Sequence, residues 1–275
     1  GMISMRTALT YSKNLVSIRI LQAITPQYAQ EYITRFGFNK EKHPAYLTMA
    51  LGAGSVTLLE MATGFAVFAN QGFKVTPYVV QHIEDSTGRI VAKARPQRAH
   101  EDAVRTLDPR NAFVMTSMMQ DVVTRGTATK VNALGRQDLA GKTGTTNDAK
   151  DTWFAGYHPR LVAVAWMGFD QPKSLGRGET GGGTAAPIWV DFMRKALKGV
   201  PESTFEVPEG VLPIEVGGRI EYVYEEFSEG GSPSSLYGTG QGDDASGATA
   251  PDDAGVESAP DAQQLDREAV QDALY

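Results

Sequence analysis

The sequence predicts an α+β fold in which an antiparallel β-sheet packs with helices, and three features predict it. Between residues 5 and 125 the apolar residues fall mainly at helical spacing. Residues 139–170 form short β-branched and aromatic segments separated by turn residues, which is typical of consecutive strands. Residues 186–199 return to helical spacing. Helices followed by a run of strands and a closing helix favour a sheet backed by helices.

The first helices are placed by apolar spacing and by capping residues. Residues 5–24 have helical spacing, and the polar stretch 10–14 inside them indicates a turn between two helices. Thr25 and Pro26 are typical of the N-cap and first position of a further helix, and Gly37 is expected to end that helix.

Two helices and a pair of strands are predicted in the middle of the chain. The capping box Thr57-Leu-Leu-Glu60 opens a helix that Gly72 closes. Residues 78–94 are predicted to form two strands around the turn Asp85-Ser-Thr-Gly88. Residues 108–125 are predicted to form a helix, because an Asp-Pro pair at its start supplies an N-cap and a first helical position.

The predicted antiparallel strands are three short segments in the second half of the chain. Turn residues at 147–148 and 158–159 separate them. In order, the segments are "LAGKTGTT", "TWFAGYH" and "LVAVAWMGFD". The closing helix covers "APIWVDFMRKALKG", and Gly199 is expected to cap it.

Charge is distributed unevenly along the 275 residues. The net charge is −6, but residues 228–275 contain ten acidic residues and one basic residue, Arg267. This segment is also rich in Gly, Ser, Ala and Pro, so it is predicted to be an acidic disordered tail. We expect a folded domain over 1–205 and a C-terminal extension over 206–227. The body is nearly neutral and has no basic run, so nucleic acid is not an expected partner.

Composition also bears on metals, membranes and the start of the chain. There is no cysteine, and the four histidines are scattered without metal-ligand spacing, so neither a metal nor a cofactor is expected. No apolar run approaches the roughly 18 residues of a membrane span, and no signal-peptide pattern is present. The chain opens inside a predicted helix, from which we expect a truncated or processed N-terminus.

The segment "LAGKTGTTN", residues 139–147, places a cation, several hydroxyls and a glycine close together. One interpretation is a phosphate-binding loop, which needs four residues between its glycines and a helix after its lysine. Here five residues separate Gly135 from Gly141, and strand-like sequence follows Lys142. The spacing and the context both disfavour nucleotide binding.

The second interpretation is a clamp for a carboxylate and an oxyanion. On an exposed edge strand, the ammonium of Lys142 and the hydroxyls of Thr143 and Thr145 are expected on one face, while Gly144 leaves the backbone open. The edge amide of Thr145 would then serve as an oxyanion donor. A lone Lys-Thr-Gly is otherwise most simply explained as a tight glycine turn.

A second motif lies in the predicted turn between the first two helices. Ser12-Lys13-Asn14 forms Ser-x-Asn, which has little weight alone because both residues are ordinary turn formers. Combined with Lys142 it is chemically coherent: a hydroxyl to relay protons and an amide to hold a substrate carbonyl, both facing the lysine.

The two motifs together resemble two of the three motifs of the serine acyl-transfer enzymes that react with penicillin. The chain is similar to the C-terminal part of the transpeptidase domain of class A (bifunctional) penicillin-binding proteins of the 1A-like type. The similar segments extend over most of residues 1–200. They are 5–21, 51–72, 115–129, 138–170 and 179–197.

The resemblance implies a penicillin-binding protein or serine β-lactamase-like transpeptidase fold, of which residues 1–205 form the C-terminal portion. It implies D,D-transpeptidase activity by serine acyl transfer on peptidoglycan stem peptides ending in D-Ala-D-Ala. Acylation by β-lactams is implied as well. The implied location is the periplasmic side of the bacterial inner membrane.

The resemblance also implies roles for individual residues. Ser12 would relay protons, Asn14 would anchor the substrate amide, and Lys142 would tune Ser12 and attract the substrate carboxylate. The implied substrate-binding residues are Thr143, Gly144, Thr145 and Thr146. Residues 125–127, Arg-Gly-Thr, resemble a family segment near the cleft, but no chemical role is assigned to them.

The chain departs from the family in its first motif, because no serine is followed three positions later by a lysine. Threonine look-alikes occur at 10–13 and 127–130 but lie in the wrong places. We expect the nucleophilic serine, its lysine, a glycosyltransferase domain and a membrane anchor N-terminal to Gly1. The fragment alone is therefore expected to be inactive.

Three alternatives stay open at this point. A D,D-carboxypeptidase and a β-lactamase-like hydrolase would share the fold. A non-catalytic peptidoglycan-binding module would keep the clamp without a nucleophile. The extended similarity over 115–197 favours the cross-linking class.

Overall fold

The computed structural model describes residues 3–228, which fall into two compact units, one ending at Glu209 and the other beginning at Gly210. The predicted acidic tail lies outside the described residues except for Ser228. Helices and antiparallel sheets make up the first unit, so the predicted α+β class is confirmed. The proposed domain boundaries stay a prediction.

The helices lie close to their predicted positions. They are α1 Met5–Thr10, α2 Asn14–Ile24, α3 Pro26–Ile33, α4 Leu58–Ala69, α5 Pro109–Arg125 and α6 Ala186–Ala196. Short 3-10 helices and a π-helical turn, Gly181–Ala185, connect some of them. Within the described residues, no helix is both long enough and apolar enough to cross a membrane.

Capping explains where α4 starts and where the segment after α3 ends. The Thr57 hydroxyl accepts the Glu60 N–H at 3.1 Å, and the Glu60 carboxylate accepts the Thr57 N–H at 2.7 Å, which confirms the capping box. The hydrogen bond that the Glu60 carboxylate accepts from the Thr57 N–H, followed by one with the Thr57 side chain, holds the pKa of Glu60 below its usual value. Gly37 adopts φ 99°, the left-handed conformation expected of a glycine at a helix end.

The strands are short except in the central sheet. They are β1 Phe73–Lys74, β2 His82–Glu84, β3 Ile90–Lys93, β4 Val104–Arg105, β5 Ala140–Thr145, β6 Asp151–His158, β7 Leu161–Gly168, β8 Val211–Val216 and β9 Arg219–Tyr224. The hairpin of β2 and β3 forms around the predicted turn. Strands β5, β6 and β7 form an antiparallel sheet in that order, so β5 is an edge strand as predicted.

The two faces of this sheet pack against different helices. On one face Phe154 meets Trp189 of α6 with ring centroids 5.1 Å apart. On the other face Tyr157 meets Phe65 of α4 at 6.3 Å, and its hydroxyl bonds Thr116 of α5 at 2.8 Å. Burial raises the pKa of the Tyr157 hydroxyl well above its usual value. Helices therefore pack on both faces of the sheet, and the edge at β5 is left open.

A buried charged cluster holds the start of β5. Asp138 accepts hydrogen bonds from Arg136 at 2.6 and 2.8 Å and from the Ser203 N–H at 2.9 Å. His158 lies 3.0 Å from the same carboxylate, and its Nδ1 accepts the Arg160 N–H at 3.1 Å. Asp138 and His158 are both fully buried. The cluster joins the strand hairpin to the segment that follows α6.

The second unit contains an antiparallel hairpin, β8–β9, in the predicted C-terminal extension, for which no element had been predicted. Gly217 and Gly218 form its turn, with φ 59° and 77°. Two consecutive glycines between β-branched runs are a hairpin signal, so the sequence contained the information.

Candidate active site

The Ser-Lys-Asn turn between α1 and α2 presents Ser12. The Lys13 N–H donates to the Ala8 carbonyl at 2.9 Å, which closes the turn, and Ser12 takes a left-handed φ of 51°. This conformation costs a non-glycine residue on the order of 1 kcal/mol, so the surrounding contacts have to maintain it. The result is an exposed serine hydroxyl at a defined position.

Lys142 of β5 meets this serine although 130 positions separate them. Its Nζ donates to the Ser12 Oγ at 2.9 Å and to the Thr143 carbonyl at 3.0 Å. Burial lowers the pKa of Lys142 to about 8, because desolvation disfavours the ammonium. The lysine lies in a strand and does not precede a helix, which is incompatible with a phosphate-binding loop.

Asn14 is the first residue of α2 and is exposed. Within residues 3–228 its side chain makes no hydrogen bond to Ser12 or Lys142. The structure thus brings together the hydroxyl and the ammonium of the two motifs, and it places the amide on the same turn without direct contact.

The expectation that one face of β5 carries the ammonium and both hydroxyls is wrong. Side chains alternate along a strand, so Thr143 and Thr145 share a face and Lys142 lies on the opposite one. The Thr143 hydroxyl meets the Thr127 hydroxyl at 2.6 Å, and the Thr145 hydroxyl accepts the Gly181 N–H at 3.0 Å. A substrate along the strand would meet these groups only at the edge, where both faces are within reach.

The free edge of β5 also exposes backbone amides. The Thr146 N–H donates to the Asp151 carbonyl at 3.2 Å, towards β6. Hydrogen-bonding direction alternates in an antiparallel pair, so the Thr145 N–H points away from β6. This is the geometry that an oxyanion donor at Thr145 requires.

The other two predicted binding residues have partners within the chain. A Cβ at Gly144 would lie 3.2 Å from the Trp153 side chain, so a larger residue there would crowd that tryptophan. The Thr146 hydroxyl accepts the Asp151 N–H at 2.9 Å and helps to form the β5–β6 turn. A role for Thr146 in substrate binding stays a prediction.

A groove of about 560 Å³ lies beside β5. All residues from Lys142 to Thr146 line it, together with Met61 and Phe65 of α4 and with Trp153 and Trp166 of the sheet. The sequence pattern could not place the two tryptophans at the groove, because alternation along a strand does not tell which face is open. The groove therefore combines a cation and hydroxyls with an apolar wall.

No group of three or more metal-ligating side chains occurs within the part of the chain that the structure describes. The polar groups at the groove are a lysine, several hydroxyls and edge amides, which bind anions and developing negative charge. The arrangement is suited to holding a carboxylate and a carbonyl oxygen next to the Ser12 hydroxyl.

Three comparisons with known proteins agree with this geometry. The family model for the penicillin-binding protein transpeptidase domain matches residues 1–194. Penicillin-binding protein 1A of Neisseria lactamica is 52% identical over 226 residues, covering 82% of this chain and 28% of that protein. Its counterpart in Pseudomonas aeruginosa is 39% identical, covering 86% of this chain and 34% of that protein. A crystal structure of penicillin-binding protein 1A from Haemophilus influenzae matches with a TM-score of 0.76 at 32% identity, covering 81% of this chain and 40% of that chain.

The fold and the site define an α+β domain with a lysine-bearing edge strand facing a serine turn. The chain belongs to the family of penicillin-binding protein transpeptidase domains. Its relatives of the 1A type in Neisseria and Pseudomonas are much longer, since the chain spans about a third or less of their length.

Proposed function

We propose that the chain is part of a peptidoglycan D,D-transpeptidase that works by serine acyl transfer. The observation that carries the proposal is the 2.9 Å contact between the Ser12 hydroxyl and the Lys142 ammonium at the open edge of β5. The relatives are named penicillin-binding proteins, and penicillin carries the carboxylate and strained carbonyl for which such an edge is suited.

In the proposed reaction a serine hydroxyl attacks the carbonyl between the two D-alanines of a stem peptide. An ester forms, the amide bond breaks, and the terminal D-alanine leaves after Ser12 delivers a proton to its nitrogen. The amine of a second stem peptide then attacks the ester and releases the serine. Lys142 polarises Ser12 and attracts the substrate carboxylate, while Asn14 orients the peptide amide.

The substrate groups would be held along β5. The hydroxyls of Thr143 and Thr145 bind the terminal carboxylate, Gly144 allows close approach, and Thr146 borders the peptide. The Thr145 N–H stabilises the oxyanion, because it points to the open edge.

The acylated serine is the one component for which this chain has no candidate, because no serine precedes a lysine by three positions. We place it upstream of Gly1, together with the glycosyltransferase domain and the membrane anchor of a bifunctional enzyme. The site would then work on the periplasmic side of the inner membrane, where β-lactams reach it, and the 275-residue chain by itself would be inactive.

A fluorescent penicillin tests this proposal. The 275-residue chain is expected to remain unlabelled, whereas a chain extended upstream to include a Ser-x-x-Lys segment should form a stable covalent adduct. Labelling is read on a denaturing gel after incubation and boiling, with unlabelled penicillin as competitor.

A matched pair of lysine variants sharpens the test. In the extended chain, Lys142→Ala should reduce labelling at least about 100-fold, because a polarised hydroxyl and a carboxylate-binding charge are both lost. Lys198→Ala, at an exposed position after α6, should label normally. Adduct formation by the short chain, or normal labelling of Lys142→Ala, would contradict the assignment.

A further inference from the structure

The segment Gly126-Thr127, which follows α5, contacts Thr10, two residues before Ser12, and Thr143, next to Lys142. Its backbone meets α1 next to the Ser-Lys-Asn turn, and its side chain meets β5 next to Lys142. None of the chemistry above uses it. Its position between two segments that lie far apart in the chain calls for a physical explanation.

Next to the Ser-Lys-Asn turn, the backbone of this segment is in direct contact with the backbone of α1. The Thr127 N–H donates to the Thr10 carbonyl at 3.3 Å. A Cβ added at Gly126 would overlap that same carbonyl oxygen. Glycine is therefore required here by space, and the end of α5 lies directly against the last turn of α1, two residues before Ser12.

Behind this contact, Arg6 of α1 joins α5 through an ion pair and hydrogen bonds. Asp121 of α5 accepts from Arg125 at 2.6 Å and from Arg6 of α1 at 3.4 Å. Arg6 also donates to the Ser117 hydroxyl and carbonyl, both at 3.0 Å, and it is buried. The bridge at Gly126 thus rests on two helices that cannot slide past one another without breaking buried hydrogen bonds.

On the strand side, Thr127 meets Thr143 through their hydroxyls, 2.6 Å apart. Only one of the two hydroxyls donates in such a pair. A carboxylate is acceptor-only, so a carboxylate held by Thr143 requires that Thr143 donates to it. The Thr127 hydroxyl must then donate to Thr143, which orients the Thr143 proton towards the ligand.

We propose that Thr127 is a positioning residue of the carboxylate clamp: its hydroxyl aligns that of Thr143, while Gly126 joins the clamp to the Ser12 turn. The proposal rests on the proposed function, since it assigns Thr127 to the same substrate carboxylate. In this role Thr127 acts through the Thr143 hydroxyl, so its effect depends on whether the ligand carries the carboxylate charge.

The test compares a penicillin with its methyl ester, which lacks the negative carboxylate. In the extended chain, Thr127→Val keeps the shape of the side chain and removes its hydroxyl. The variant should lower the second-order acylation rate for the free acid about tenfold and change the rate for the ester less than about twofold. Thr127→Ser retains the hydroxyl and should restore most of the rate for the acid.

Thr129→Val is the matched control, because Thr129 is exposed, lies two residues further on and makes no side-chain hydrogen bond within residues 3–228. It should acylate like the unaltered protein. Equal losses for acid and ester in Thr127→Val, or no loss at all, would overturn the positioning role while leaving the proposed function in place. An unaltered extended chain that fails to label with the acid would overturn both.

Discussion

The ammonium of Lys142 is half-buried at the open edge of β5. Lys142 donates to Ser12 and to the Thr143 carbonyl, and two of its three protons are thereby used. Because burial lowers its pKa to about 8, the lysine is mostly charged at pH 7 but loses its proton far more readily than an exposed lysine. It is therefore able both to attract a carboxylate and to exchange a proton with the serine.

The lowered pKa is a prediction that can be measured on the chain itself. Nuclear magnetic resonance of the lysine side chains between pH 6 and 11 should show one lysine with a midpoint near 8. This resonance should be absent in Lys142→Ala. The folded pKa lies below the unfolded value of about 10.4, so this lysine should also make stability rise between pH 8 and 10.4. A spectrum in which Lys142 titrates near 10.4 would contradict the buried geometry.

A second group of residues resembles a catalytic triad but lacks its geometry. Ser203, His158 and Asp138 form a Ser-His-Asp set, but Asp138 Oδ2 and Ser203 Oγ both lie on the Nε2 of His158, at 3.0 and 3.4 Å. A catalytic triad needs the two partners on different ring nitrogens. The fully buried histidine is structural.

The π-helical turn Gly181–Ala185, directly before α6, contacts the edge strand β5. The Gly181 N–H donates to the Thr145 hydroxyl at 3.0 Å, and the glycine packs directly against β5 and β6. A Cβ there would lie 2.5 Å from the Gly144 carbonyl oxygen and even closer to that of Trp153. The turn thereby supports the edge strand that carries the site.

Gly181→Ala should therefore destabilise the domain by about 1 to 3 kcal/mol, because neither backbone oxygen can move without disturbing the sheet. Urea unfolding followed by tryptophan fluorescence measures the change. Gly183→Ala is the control, since its Cβ would meet only the movable Thr180 hydroxyl, at 3.0 Å. Equal unfolding midpoints for the two variants would show that the close packing of Gly181 against β5 does not affect stability.

On the scale of the whole domain, the buried cluster around Asp138 ties the sheet to the chain that leaves α6. Burial alone raises the pKa of Asp138, but hydrogen bonds from Arg136 and from the Ser203 N–H outweigh it and hold that pKa below its usual value. Burial likewise lowers the pKa of His158, with Arg136 and Arg160 adding to the effect and Asp138 opposing it. The folded domain thus keeps a charged aspartate next to a neutral histidine.

This cluster predicts how stability depends on pH. The folded pKa of His158 lies below the unfolded value of about 6.5, so its contribution is complete above pH 6.5 and is lost as the pH falls. The free energy of unfolding should decline as the pH falls below 6.5, by up to about 1.4 kcal/mol per pH unit. Asp138 adds to the loss only below about pH 4, because its folded pKa is also lowered.

Urea unfolding at a series of pH values checks this slope. His158→Gln should flatten it, whatever the absolute stability of the variant. Equal slopes for the unaltered protein and His158→Gln would show that His158 does not cause this pH dependence of stability.

Much of the fold was predictable because its determinants are local. The Thr57–Glu60 box, Gly37 and the Asp108-Pro109 pair act within one helical turn, and the structure confirms each of them. The hairpin of β8 and β9 was missed although Gly217-Gly218 indicated it. The face of Lys142 was misjudged because two-residue periodicity was applied to residues that are adjacent.

From the sequence alone the family, the α+β class, the main helices and the strands β2, β3 and β5 to β7 could be predicted, because these depend on neighbouring residues and on motif order. The contact of Ser12 with Lys142, the bridge through Thr127 and the buried Asp138–His158 pair are specified only by the folded domain. These contacts join residues between 16 and 130 positions apart, and their geometry depends on how α5, α6 and the sheet pack. No local pattern specifies that packing, because it results from the burial of many side chains at once.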